Sequence, residues 1–518
     1  MREGGNGRTA PTSAQASLKM VGRSRVISAD YLYMSKEPRT FRLRFAQAII
    51  PCLAALIFVS SSRAQSNSPA RKPNIIFILS DDLGYGDLGC YGQTKIKTPN
   101  LDKLAAEGLR FTDCYAGSTV CAPSRATLMT GLHTGHAGIR GNKNLSLTPR
   151  DVIIAELLKQ AGYHTALVGK WGLGDEGSAG VPNKKGFDEF IGYLDQTHAH
   201  DYYTDHLFRY DPKSGFEGRE ELPENSGGKK GLYVPDLLTT AGLNFVRINK
   251  PDQFNNYRPF FLYLAYITPH ANDEEGQRSG NGMQVPTDAP YGSEPWPQVE
   301  KNKAAMITRM DLDIGKLMDK LKELKIDDNT VVFFASDNGP HKEGGVDPKF
   351  FQSAGPFRGI KRDLYEGGIR VPLIARWPGK IAPSRTTDVP CAFWDFLPTA
   401  AEIAGTKPPD KIDGISLLPT LMGRPQTNQH DFLYWEFHER GFQQALRMGD
   451  WKAVRPQIGE PLELYNLKTD AAEKQNIAEQ NPSVVAKIEQ LLRTARTESD
   501  QWPITKPGES RKKNSQTK

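Results

Sequence analysis

The run Asn74-Ile75-Ile76-Phe77-Ile78-Leu79-Ser80, followed at once by Asp81-Asp82, decides the fold. It is apolar without alternation from Ile75 to Leu79, the pattern of a strand buried on both faces of a parallel sheet. Two carboxylates at the carboxyl end of such a strand are costly unless a cation or strong donors meet them. In open α/β sheets that edge is also where ligands bind. One Asp there would serve as an Asx turn; the adjacent pair leans towards a metal.

The same arrangement recurs along the chain. His164 to Val168 reads as a strand leading into Gly169-Lys170-Trp171-Gly172, and Pro259 to Ile267 (PFFLYLAYI) ends in Thr268-Pro269-His270. Thr330 to Ala335 (TVVFFA) ends in Ser336-Asp337-Asn338. Asp81-Asp82 and Asp337-Asn338 are far apart in sequence, yet each closes a buried strand, so a parallel sheet can bring them together. Four oxygen side chains suit a hard cation such as Ca²⁺ or Mg²⁺. Helices are expected over Asn100 to Gly108, Thr148 to Ala161, Asn302 to Leu324 and Ala392 to Ala404. In the third of these, Met306, Met310, Ile314, Leu317 and Leu321 recur at three- and four-residue spacing. The fold class is therefore α/β: a large mixed, mostly parallel sheet flanked by helices. After residue 430 the pattern changes to short strands at 432–437, 443–448, 451–455 and 462–466, then a helix from Pro482 to Thr497. This predicts a smaller C-terminal antiparallel sheet plus helix over 426–500, following a catalytic domain over 72–425.

Between the first two strands of this series lies Cys121-Ala122-Pro123-Ser124-Arg125, opening a helix that Gly131 can stop. A cysteine there faces free backbone N–H groups and the positive end of the helix dipole, a good place for a nucleophile that handles an oxyanion. Residues 195–206 (DQTHAHDYYTDH) gather His198, His200 and His206 with tyrosines and aspartates. They read as a polar-aromatic pocket wall rather than a zinc cluster, since no cysteine is spaced to join them. Residues 358–370 form a glycine-punctuated basic loop carrying Arg358, Lys361, Arg362 and Arg370.

Composition is that of an ordinary globular protein, with 38% hydrophobic and 24% charged residues among 518. The long apolar run from Phe45 to Ser60 follows Arg39, Arg42 and Arg44 and precedes Ser62-Arg63-Ala64. That is the form of a secretory signal peptide, giving a leader over 1–64 cut near Ala64 and a periplasmic or secreted product. The run is short for a bilayer and contains Pro51, against a stable membrane span. Residues 1–64 hold ten of the 66 Lys/Arg and three of the 60 Asp/Glu, which leaves 56 basic and 57 acidic side chains, net −1. Charge gives no case for a nucleic-acid partner. Cys90, Cys114, Cys121 and Cys391 are too few for a disulfide scaffold, although one bridge is possible. Residues 504–518 are polar and basic, and a disordered tail is expected there.

With these residues assembled, the chain resembles the type I, formylglycine-dependent sulfatases of the alkaline-phosphatase-like superfamily, from Lys72 to about Asn466. The resemblance implies that a maturation enzyme converts Cys121, within Cys-x-Pro-Ser-Arg, to formylglycine. It implies Ca²⁺ (Mg²⁺ less so) on Asp81, Asp82, Asp337, Asn338 and the modified residue 121. Arg125 would steady the aldehyde hydrate, while Lys170, His270 and Lys361 would hold sulfate and serve the leaving group. The implied reaction is sulfate-ester hydrolysis through a hydrate nucleophile and a covalent sulfoenzyme, on sulfated carbohydrates, with aryl sulfates as surrogates.

One position departs from the pattern: many sulfatases carry a histidine two residues after the lysine, and here it is Gly172. His133 and His136, just beyond the nucleophile's helix, rank first as replacements, followed by His198 and His200. The rival readings are a phosphatase or phosphonate monoester hydrolase on the same fold, and a secreted glycan-binding pseudoenzyme.

Overall fold

The computed structural model describes residues 71–504. The expected leader (1–64) and all but the first residue of the expected basic tail (504–518) lie outside the described residues.

Ten strands form the main sheet: β1 (Asn74–Ser80), β2 (Leu109–Phe111), β3 (His164–Lys170), β4 (Glu189–Tyr193), β5 (His206–Asp211), β6 (Phe216–Glu221), β7 (Phe260–Ala265), β8 (Thr330–Ser336), β9 (Leu373–Arg376) and β10 (Arg385–Thr387). Their order is β10-β2-β9-β8-β1-β7-β3-β4-β5-β6. The central run from β8 through β1, β7 and β3 to β4 is parallel throughout. Antiparallel pairs lie on either side, where β9 joins β2 and β8 and where β5 joins β4 and β6.

The unbroken apolar run of β1 is used on both faces. Ile75, Phe77 and Leu79 pack with helices α2 (Cys121–Thr130), α3 (Ile154–Gln160) and α6 (Phe396–Ile403). Ile76 and Ile78 pack on the other side with α1 (Pro99–Ala106), α4 (Val234–Ile248) and α5 (Gln298–Glu323). This two-sided burial is the driving force for placing β1 centrally, since each fully buried Ile, Leu or Phe contributes about 1.5–3 kcal/mol. Register then does the positioning. Ser80 pairs with Ser336, and Leu79 and Gly169 both align with Ala265. The exits of β1, β8, β7 and β3 therefore reach the same edge together.

A second sheet joins β11 (Leu433–Phe437), β12 (Gln443–Met448), β13 (Trp451–Arg455) and β14 (Glu463–Asn466), antiparallel throughout. Alternation splits it as it should. Tyr434, Leu446 and Leu464 face α7 (Pro482–Thr494), whereas Leu433, Trp435 and Val454 face Tyr115, Val120 and Trp394. Trp435 donates its indole N–H to the Ala116 carbonyl at 2.9 Å, tying this sheet to the segment that enters α2.

Several expectations shift in detail. The helix expected over 148–161 begins only at Ile154, because Asp151 Oδ2 accepts from both Thr148 N and its hydroxyl and holds a turn. Glu156 then accepts from Ile153 N at 2.8 Å and starts the helix. The hairpin β5–β6 and helix α4 carry no counterpart in the sequence reading. The hairpin lacks an apolar stripe, and α4 mixes Pro, Thr and Gly into its buried face.

Candidate active site

Helix α2 is buried along all its residues and presents Cys121 as its first residue, after extended Val120. Gly131 ends it in the left-handed conformation (φ +73°), donating to Thr127 O at 3.0 Å. Cys121 Sγ lies 3.3 Å from Asp81 Oδ1. One turn on, Arg125 sends Nε and Nη2 to Asp337 Oδ2 (3.0 and 2.8 Å), Nη1 to the Lys170 carbonyl (2.9 Å), and approaches Asp81 Oδ2 at 3.3 Å. A single guanidinium thus locks helix α2 to the exits of β1, β8 and β3, using its fixed fork of donors.

The two lysines fall on the two adjacent carboxylates: Lys170 Nζ is 2.6 Å from Asp81 Oδ2, and Lys361 Nζ is 2.7 Å from Asp82 Oδ2. Asp82 has φ +64° and donates its N–H to Asp337 Oδ1 at 3.1 Å. Asn338 donates Nδ2 to Asp82 Oδ1 at 2.6 Å. His270 Nδ1 is 2.6 Å from the Ala271 carbonyl, which can only accept, so Nδ1 carries the proton and Nε2 a lone pair. That lone pair accepts from Lys361 Nζ at 3.1 Å.

All of these groups are buried, and three carboxylates face three permanent cations. Against burial, Lys170 and Arg125 hold Asp81 below the usual carboxylate range. Lys361 does the same for Asp82. Asp337 is instead pushed up to about 7 by burial and the neighbouring Asp81, despite Arg125. Burial and Lys361 keep His270 neutral. Burial and Asp81 push the Cys121 thiol well up, so the bare protein pocket favours the thiol.

These residues fit a hard dication. Asn338 Oδ1 is buried and has no donor facing it. A ligand atom from each of Asp81, Asp82, Cys121 and His270 lies within 4.8 Å of the others. Asp81, Asp82 and Asp337 crowd together there with Asn338, and an oxygen-rich set suits Ca²⁺ or Mg²⁺. With charges otherwise balanced, a bound dication leaves a net positive pocket for an oxyanion.

The other histidines divide. His200 lies flat on His270 (4.6 Å between centroids, 15°), its Nδ1 facing Asp273 and Glu274 at 3.9 and 3.6 Å. His198 bonds Thr204 Oγ1 at 2.8 Å and stacks on His206, so the three histidines of 195–206 do not converge on one point. Thr197, His198 and Asp201 instead line a groove with Asn272, Glu274 and Gln284, the wall expected there. The ranking of His133 and His136 first is corrected. They follow the wrong end of α2, about 15 Å of helix away from Cys121, and both face Asp413, with His136 Nδ1 at 2.9 Å. Burial pushes His133 down to about 4 there, in spite of Asp413.

The basic loop also divides. Lys361 reaches the pocket, but Arg358 stacks on Tyr365 and bonds Tyr465, Arg362 pairs with Glu343, and Arg370 pairs with Asp113 and Glu366. His341, which the sequence reading missed, stands behind His270 with ring centroids 5.9 Å apart; its only signal was its place three residues past Asn338. The four described cysteines are free thiols.

The sulfatase family profile matches residues 73–406, and the profile for the C-terminal part of N-sulphoglucosamine sulphohydrolase matches 358–498. The chain belongs to the sulfatase family. It is a sulfuric ester hydrolase of the alkaline-phosphatase-like fold. An N-acetylgalactosamine-6-O-sulfatase of Bacteroides thetaiotaomicron is 30% identical over 525 residues, covering 87% of this chain and 98% of that protein. Human arylsulfatase A is 33% identical, covering 82% of this chain and 87% of its own. Among solved structures, Ps i-CgsB in complex with k-i-k-neocarrahexaose superposes with a TM-score of 0.68 at 29% identity, covering 84% and 95% of the two chains. Among the described residues, no helix of this sulfatase is long and apolar enough to cross a membrane.

Proposed function

We propose that this sulfatase hydrolyses sulfate esters of hydroxyl-rich carbohydrates after Cys121 has been converted to formylglycine, with Ca²⁺ held by Asp81, Asp82, Asp337, Asn338 and the modified residue. The observation that carries this reading is the unpartnered, buried Asn338 Oδ1 among three carboxylates, beside a cysteine at a helix N-terminus. When bound, the cation and the hydrated aldehyde supply an oxygen nucleophile that ionises near neutral pH.

The chain's own residues do the rest. Lys170 and Lys361 bring two ammonium groups to the place where sulfate oxygens gather charge; one such preorganised donor is worth about 3 kcal/mol. Arg125 holds the first turn of α2, and so residue 121, against Asp337 and the Lys170 carbonyl. The departing alcohol needs a proton. One lies between Lys361 Nζ and His270 Nε2, 3.1 Å apart. The wall at 195–206, with Asp273 and Glu274, offers donors and acceptors suited to sugar hydroxyls. That the N-acetylgalactosamine-6-O-sulfatase and the neocarrahexaose complex concern saccharides supports a carbohydrate substrate. A maturation enzyme acting on Cys121 and export of the chain, with the leader cut near Ala64, complete the reading.

The test is the intact mass of the Cys121 peptide from protein made in its native host, run beside paired aryl sulfate and aryl phosphate assays. Formylglycine at 121 with a preference for sulfate is expected. Unmodified cysteine, or a preference for phosphate, overturns the reading.

A further inference from the structure

Gly172 has φ +73°, and a Cβ built on it would lie 1.9 Å from Gln196 Nε2. The close approach follows from the sheet. Trp171 N and Gly172 N donate to the carbonyls of Tyr193 and Leu194, both at 2.9 Å, so the chains leaving β3 and β4 stay side by side beyond the strand ends. Gln196 then folds back over Gly172. Its Nε2 meets the Gly172 carbonyl only at 3.4 Å, and its Oε1 is buried with no donor facing it. An amide oxygen left in that state is costly, and in a native fold it asks for a partner. Two residues before Gly172, Lys170 gives its ammonium to Asp81 and its carbonyl to Arg125, so this spot follows directly along the chain from the pocket. Four residues beyond Gln196, His200 lies on His270, so one short turn runs from the rim at 172 to the leaving-group side.

We infer that Gln196 is a positioning residue of the sulfatase site. It fills the volume that a side chain at 172 would take and presents Oε1 as the acceptor for a hydroxyl hydrogen in the matured, loaded pocket. The inference rests on the sulfatase reading above. An amide oxygen cannot remove that proton, so Gln196 orients the hydroxyl rather than acting as its base. A side chain at 172 would have to displace the Gln196 amide, so the two positions compete for one space.

The experiment is a cycle of Gln196→Ala, Gly172→His and the double variant in the full, matured protein, with thermal midpoint, kcat and KM on an aryl sulfate, and the pH–rate profile. Gln196→Ala is expected to lower kcat about tenfold with KM within about twofold, the loss of one well-placed hydrogen bond. Gly172→His alone is expected to lower the thermal midpoint, because its imidazole meets Gln196 on strained backbone. Adding Gln196→Ala should restore the part of that loss due to the contact, the backbone strain at φ +73° remaining, and introduce a new ionisation near pH 6–7 in the rate profile, the range of an imidazole. A double variant no more stable than Gly172→His, or Gln196→Ala with unchanged kcat, overturns the inference. If the parent protein turns over no sulfate ester, the sulfatase reading fails instead, and the thermal cycle still decides whether the two positions share one volume.

Discussion

Two buried charge clusters of similar make-up sit in this molecule. At the pocket, Asp81, Asp82 and Asp337 face Arg125, Lys170 and Lys361. Where the C-terminal sheet meets the main sheet's loops, Glu366, Glu473 and Asp113 face Lys452, Arg370 and Arg447. The second cluster is closed. Lys452 bonds Glu366 and Glu473 at 2.9 and 3.3 Å, Tyr115 donates to Glu366 at 2.7 Å, Glu473 accepts from Glu366 N at 2.6 Å, and Arg447 reaches Asp113 at 2.9 Å. None of its side-chain atoms is buried without a partner. The first leaves Asn338 Oδ1 unanswered and places a cysteine at its centre. Counting charges does not separate a site from a joint; counting unmet valences does.

The largest effect that tests this contrast is at Cys121. Cys121→Ser should lose steady turnover of an aryl sulfate by at least about 10⁴-fold, as removal of a nucleophile does, with the fold retained by circular dichroism. Steady hydrolysis by a verified Cys121→Ser preparation would sink the aldehyde mechanism. Chelation comes next. Stripping divalent cations should cost about 10³-fold in rate, several kcal/mol of charge stabilisation. Restoring Ca²⁺ to about 100 times its Kd should raise stability by about 2.7 kcal/mol, read from thermal shifts. Calcium titrations with no shift would place the pocket with the closed cluster.

Lys452→Met probes the joint from the other side. Removing one partner of a buried pair costs about 3–5 kcal/mol, while kcat/KM of the remaining folded protein should stay within about threefold. A large loss of kcat/KM without destabilisation would erase the distinction. A subtler test uses pH. Burial pushes Glu473 up to about 7 from 4.5, with Glu366 adding to it against Lys452. Between those values the native state binds more protons than the unfolded one, so this group's contribution to stability falls as pH rises from about 4.5 to 7. Glu473→Gln should flatten that part of the stability curve, measured by urea unfolding. The smallest effect is expected at His136→Ala, where activity should stay within about twofold and stability within about 1 kcal/mol; a large loss of turnover would return the 133–136 segment to the pocket.

The pocket was legible in the sequence because its residues end apolar runs, and parallel strands in register deliver their exits to one edge. Asp81, Asp82, Asp337 and Asn338 all came from that single regularity, whereas Lys170 and His270 also end strands but took their roles from the family resemblance. Lys361 came from the family resemblance, since residue type alone does not distinguish it from Arg358 or Arg370, which brace aromatic rings and the joint. His133 and His136 misled because adjacency to a helix says nothing about which end of it matters. Gln196 left no trace, because its place depends on the absence of a side chain at Gly172 and on two chains running together past their strands.

The burial of Cys121, whose exposure is only 2%, has a consequence in time. Asp81 lies against it, Arg125 on the same helix is tied to Asp337, and Trp435 grips the segment leading to it. Contacts spanning such sequence distances close late in folding, after loop entropy has been overcome. On the proposed function, the enzyme that alters Cys121 would meet it most readily on the young chain, before the sheet shuts over it, and the folded molecule would keep a record of whether that appointment was met.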